Sequence, residues 1–153
     1  MRNEGICKIK SKDWEAAYKL IVEAKNIFEK LLNESAIANC YRDIGDIFLE
    51  QENYSEAFSN YYSALTISEK EKDSSTIMHN FGKLSNVFLL NGANQKSLEY
   101  GQKWMNIALL KNDVDEIAKA AYSIGWNQIV LQNYSLAMDN FRQSLKLEQS
   151  KAI

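Results

Sequence analysis

An all-α chain built from repeated antiparallel helix pairs is predicted by three observations. The sequence has no proline and only six glycines in 153 residues, so nothing interrupts long helices. Small and bulky residues recur at an interval of forty in several parallel series. Within each half-interval, apolar residues fall three and four apart, and short polar breaks separate the stretches.

The clearest pair runs from Tyr41 to Ala64. Tyr41, Ile44, Gly45 and Phe48 mark one helix face. Tyr54, Ala57, Phe58, Tyr61, Ala64 and Leu65 mark a second, after the polar turn at Gln51-Glu52-Asn53. Asn53 and Glu56, three apart, form a capping pair. Helices joined this tightly lie antiparallel, and Gly45 and Ala57 are small where the two are expected to press closest.

The pair repeats in one register. Ala17, Ala57, Ser97 and Ala137 form one series, and Gly5, Gly45, Ser85 and Gly125 form another. Trp14, Tyr54, Asn94 and Tyr134 form a third. Ile21, Tyr61, Gly101 and Phe141 make the fourth, and Ala24, Ala64, Trp104 and Ser144 the fifth.

Taken in order, Met1 to Lys10 is the clipped first helix of its repeat, and its partner is expected over about 13–32. That partner carries an apolar stripe of Trp14, Ala17, Leu20, Ile21, Ala24, Ile27, Phe28 and Leu31. The second repeat begins near Ser35, and Ser74 or Ser75 is the expected cap of the third. Asn91-Gly92 ends the first helix of that repeat. There Gly101 stands where the other repeats are bulky and Trp104 where they are small, which reads as an exchange of volume one turn along the helix. The fourth repeat opens on the acidic turn Asp113-Val114-Asp115-Glu116, which suits a helix N-terminus. Its last helix is expected to turn Ala137, Phe141 and Leu145 inward.

Gly45, Tyr54, Ala57, Tyr61 and Ala64, preceded by Tyr41, Ile44 and Phe48, resemble the tetratricopeptide repeat. The interval of forty, longer than that family's usual length, and the missing proline are its departures. The longer form is similar to peptide-clasping adaptors and to bacterial Rap-type regulators. The resemblance implies a right-handed α-solenoid of about 3.5–4 repeats in a single domain over 1–153. The repeats would be 1–33 (truncated), 35–72, 74–112 and 114–150.

Function follows from the same resemblance, which implies a scaffold that binds a peptide segment of a protein partner along its concave first helices. The groove positions carried over are Asn39, Arg42, Asp46 and Leu49, then His79, Lys83, Asn86 and Leu89, then Lys119, Tyr122, Trp126 and Ile129. The clipped repeat would add Arg2, Ile6 and Ile9. Spacings of three and four make each set one stripe. Amides suit an extended backbone, cations suit carboxylates, and Tyr122 with Trp126 suits an apolar anchor. The alternative is a peptide-sensing module of a bacterial transcriptional or signalling regulator, and a third reading is self-association through uncapped ends.

Other classes draw little from the sequence. A net charge of −2 offers no concentrated basic face for nucleic acid. No apolar run reaches the ~20 residues of a membrane span, and Met1–Gly5 lack the core of a secretion signal. Cys7 and Cys40 lack ligand spacing, so reduced thiols in a cytoplasmic protein are expected. No cofactor, metal or enzyme activity is predicted. His79 lacks a nucleophile partner, and Asp43, Asp46 and Glu50 read as an exposed acidic face rather than a metal site.

Overall fold

The computed structural model describes residues 1–10 and 13–151, with side chains at 1–7 and 13–150; Ile9 lies outside the described side chains. Among the described residues there are eight helices and no strand. In order they are α1 (Arg2–Lys10), α2 (Trp14–Lys30), α3 (Glu34–Glu50) and α4 (Tyr54–Lys70). There follow α5 (Ser74–Leu90), α6 (Asn94–Leu110), α7 (Val114–Val130) and α8 (Tyr134–Lys151).

The side-chain interval of forty is twice the interval of the backbone. From α2 onward every helix begins twenty residues after the last, and α2 to α7 each contain 17 residues. The six turns from α2 to α8 close alike. Leu32, Glu52, Lys72, Gly92, Asn112 and Gln132 take positive φ between 51° and 76°. The next residue's N–H reaches back to Phe28, Phe48, Ser68, Phe88, Ala108 or Gln128 at 2.8–3.0 Å. This is the Schellman closure, which satisfies carbonyls that a helix end leaves unpaired. The residue after each left-handed position then starts the next helix. Asn33, Asn53 and Asp113 cap through their side chains. At α5 the cap is Asp73, one residue before the expected serines; it accepts from the N–H of Ser75 and of Thr76, both at 3.1 Å.

The chain divides into two compact units, Met1–Asn80 and Phe81–Ile153, and the division falls inside α5. In the first unit, Ala17, Ile21 and Ala24 of α2 pack with Cys40, Ile44 and Ile47 of α3. Trp14, Val22, Phe28 and Phe48 flank that cluster. Burial raises the Cys40 thiol to about 11, so it stays protonated and inert at neutral pH. The α2 stripe is shorter than expected: Ile27, in the last turn of the helix, and Leu31, its C-cap, are both exposed. In the second unit the fully buried side chains include Leu84, Val87, Ala108, Ala120 and Ala121.

The glycine series has a specific cause. A Cβ on Gly45 would lie 2.5 Å from Cε1 of Tyr61, and one on Gly125 would lie 2.7 Å from Cε1 of Phe141. On Gly5 it would lie 2.5 Å from Cγ1 of Ile21. Each first-helix glycine is therefore the seat of the bulky second-helix residue sixteen positions on. In the third repeat the seat is inverted, with Ser85 on α5 facing Gly101 on α6. The expected exchange of volume is present, but the glycine that receives Trp104 is Gly82 rather than Gly101. A Cβ there would meet the indole at 3.1–3.2 Å, whereas one on Gly101 would meet Ile124 and Ser85.

Candidate functional site

The predicted groove residues are best described unit by unit. In the first unit Asn39, Arg42 and Asp46 lie on α3 and are half-buried, while His79 on α5 is exposed. Asp46 accepts a 2.6 Å hydrogen bond from the Tyr61 hydroxyl. The ring reaches it because Gly45, its neighbour in sequence, leaves room for it. Asp43 is not part of an exposed acidic face: it is buried and paired with Arg2 Nε at 2.6 Å. Burial raises its pKa, and Arg2 offsets that only in part. Arg2 thus ties α1 to α3 and is not a free groove cation.

In the second unit Lys83 is half-buried and Asn86 exposed on α5. Lys119, Tyr122 and Trp126 follow one another along the exposed side of α7. Lys119 Nζ pairs with Glu116 Oε1 at 2.7 Å, a bond that raises the lysine's pKa. Glu116 is itself buried; its other oxygen accepts from Trp104 Nε1 at 2.9 Å, and its backbone N–H is capped by Asp113. The base of the cationic position is therefore fixed from two helices.

Tyr122 and Trp126 are 53% and 43% exposed, yet both touch Phe141 of α8, with ring centroids at 5.6 and 5.8 Å. They also touch each other at 6.2 Å, edge to face. The three rings form one wall of an open hollow of about 460 Å³, completed by Ser144, Leu145 and Glu148. Leu145 is 58% exposed where an inward position was expected; it joins this surface. Trp126 both packs on the last helix and faces outward. Phe141 and Leu145 were legible in the sequence as apolar α8 residues, but only the fold shows that they border the same hollow as Trp126.

Among the described residues no group of three histidine, cysteine or acidic side chains is placed to hold a metal. No described helix is long and apolar enough to cross a membrane.

These features define a helical-hairpin repeat whose exposed aromatic surface borders its final helix. The family model described as "Tetratricopeptide repeat" matches residues 1–70, a little under half of the chain, and that stretch is similar to tetratricopeptide repeats. The curated proteins yield no match to this sequence. Among solved structures, the apo form of RapI superimposes with a TM-score of 0.83 at 17% identity, over 97% of this chain and 42% of that one. Kinesin light chain TPR-like repeats from Podosopora anserina give 0.77 at 12% identity, over 97% and 73%. BtubC (BKLC) from P. vanneervenii gives 0.75 at 15% identity, over 92% and 57%. At these identities the likeness is one of fold. The chain spans less than half the length of RapI.

Proposed function

We propose that this protein-interaction scaffold binds a peptide segment of a partner protein, with an apolar side chain of that peptide anchored on Tyr122, Trp126 and Phe141. The observation that carries this reading is the three-ring wall and its open hollow, where large aromatic surface stays exposed although each ring is held by another. A pre-positioned anchor of this kind spares ordering cost on binding. Lys119, one turn from Tyr122, supplies a cation beside the anchor. Lys83 and Asn86 in the same unit, and Asn39, Arg42, Asp46 and His79 in the first, are the polar contacts.

The test is selection of binding peptides from a random library, followed by titration of the selected peptides. Tyr122→Ala with Trp126→Ala is expected to weaken binding by at least about tenfold, as loss of an aromatic hot spot does. Arg42→Glu with Lys83→Glu is expected to weaken peptides that carry acidic residues. Peptides that bind wild type and both variants equally refute the reading.

The likeness to RapI favours one narrower version, in which the peptide is a signal and the module belongs to a bacterial regulator. A peptide-dependent change in the scattering profile supports that version, and an unchanged profile with tight binding refutes it.

A further inference from the structure

The turn between α5 and α6 shares its backbone closure with five others but not its chemistry. Asn91 ends α5 and Gly92 takes the left-handed position, and nowhere else in the sequence does glycine follow asparagine. Both residues are exposed. A Cβ built on Gly92 would meet nothing within 4 Å, so no side chain shields the bond between them. The asparagines of the other turns are differently placed. Asn33 and Asn53 are held as caps, accepting from the N–H of Ala36 and of Glu56. Asn133 Nδ2 donates to Gln128 Oε1 at 2.8 Å. Asn112 is followed by Asp113, whose side chain crowds its backbone nitrogen.

We propose that Asn91 is a site of spontaneous deamidation and isoaspartate formation. The reaction consumes only water. The Gly92 backbone nitrogen loses its proton to solvent base and attacks Asn91 Cγ. As that N–Cγ bond closes a five-membered imide, the Cγ–Nδ2 bond breaks and the nitrogen leaves as ammonia, taking a proton from water. A water molecule then opens the ring at Cγ, which gives aspartate, or at the main-chain carbonyl, which gives isoaspartate with the backbone routed through Cβ. Glycine suits the attacking role because it has no Cβ to obstruct the close approach of its backbone.

In the closed turn that same N–H donates to the Leu89 carbonyl at 3.1 Å, so the last turn of α5 must open before the nitrogen can react. Helix ends open at the least cost. The product then works against the turn that formed it. Either form adds a negative charge at the C-terminal end of α5, where the helix dipole disfavours one. Isoaspartate also lengthens the backbone between residues 91 and 92. The bonds from Gly92 to Leu89 and from Ala93 to Phe88 can then no longer both keep their geometry. The change is one-way, so it marks the age of the third repeat. It does not depend on the three-ring wall or on peptide binding.

The experiment incubates the full chain at neutral and at mildly alkaline pH and follows each asparagine by peptide mass spectrometry. An isoaspartyl methyltransferase, which methylates the rearranged carboxylate, is the probe for isoaspartate, and the same chain in urea gives the unprotected rate. Asn91 is expected to convert before any other asparagine, faster at alkaline pH because the attacking nitrogen must lose a proton, and to give both products. Aged protein is expected to melt below fresh protein. Asn91→Gln is an exposed substitution whose longer side chain would have to close a larger ring. It is expected to lose the reaction at this position and to keep its melting temperature over the same incubation. Conversion that begins at another asparagine, aspartate without isoaspartate, or aged protein that melts like fresh protein overturns the inference. So does an Asn91 that converts in urea and stays intact in the folded chain.

Discussion

Ser85 and Ser97 exchange hydrogen bonds across α5 and α6: the Ser85 hydroxyl donates to the Ser97 carbonyl at 2.9 Å, and the Ser97 hydroxyl donates to the Ser85 carbonyl at 2.6 Å. Both side chains are fully buried. In the second repeat the same positions are Gly45 and Ala57, and packing alone serves there. Polar replacements in a core are tolerated when each gains a partner, and here each hydroxyl uses a backbone carbonyl of the opposite helix. Ser85→Ala and Ser97→Ala are each expected to destabilise by about 1 kcal/mol in denaturant unfolding. Ser85→Gly should cost more than Ser85→Ala, because Gly101 opposite offers no ring to fill the space. A Ser85→Gly protein as stable as wild type refutes this account.

Trp104 is the large member of the exchanged pair in the third repeat, and it does two jobs. Its ring covers Gly82, and its indole N–H donates to the buried Glu116 of α7. Trp104→Phe keeps most of the volume and loses the bond to a carboxylate, which is expected to cost about 1.5–3 kcal/mol. Trp104→Ala is expected to cost about 2–4 kcal/mol, toward the lower part of the range for large core truncations because the ring is only half-buried. Calorimetric or denaturant melts that place both variants within error of a surface control such as Gln102→Ala contradict it.

The forty-residue series show how much was legible and where legibility stopped. Helix content, repeat register and the degenerate third repeat follow from glycine, alanine and aromatic positions, because hairpin packing imposes size at fixed places. The seat of Trp104 did not follow. Sequence spacing places residues 101 and 104 on one face, but choosing between Gly82 and Gly101 needs the offset between two helices. The backbone interval of twenty was hidden too, since Schellman turns can use almost any residue at some cost, and here five of the six use one that is not glycine. At the surface the limit was different. Asp43 reads as an acidic face beside Asp46, but it lies on the buried side of α3, paired with Arg2. The three-ring wall needed Phe141 to be brought beside Trp126 by the α7–α8 turn.

Tyr61 gives a pH-dependent prediction. Burial, and after it the neighbouring Asp46, raises its phenol well above the usual value of 10.0. Below about pH 10 the phenol is protonated in folded and unfolded chains alike, so its hydrogen bond contributes in full. Above that pH the unfolded chain releases the proton while the folded chain retains it, and stability falls as pH rises. Tyr61→Phe is expected to cost about 1.5–3 kcal/mol at neutral pH, the range for a bond to a charged acceptor. The difference between wild type and variant should narrow above about pH 10. Denaturant melts at intervals from neutral to alkaline pH check it, and a difference that widens with pH contradicts it.

The six turns allow the cost of the left-handed conformation to be read within a single molecule. Lys72 at φ 56° and Asn112 at φ 51° stand where Gly92 has φ 76°. Around them the same pair of backbone hydrogen bonds closes the helix. Side chains with a Cβ pay roughly 1 kcal/mol in this region, asparagine less, because its short polar side chain tolerates it. Glycine avoids that strain but gives up more freedom on folding, which returns part of the gain. Lys72→Gly is therefore expected to stabilise by about 0.5–1 kcal/mol, and Asn112→Gly by less than half of that. Gly92→Ala, with no neighbouring atom within 4 Å of the added carbon, should destabilise by about 1 kcal/mol through backbone strain alone. Thermal unfolding of the three single variants would rank Lys72→Gly above Asn112→Gly, and Asn112→Gly above wild type, with Gly92→Ala below it. If Lys72→Gly melts below wild type, the turns are held by side-chain contacts of Lys72 and not by the shared backbone closure.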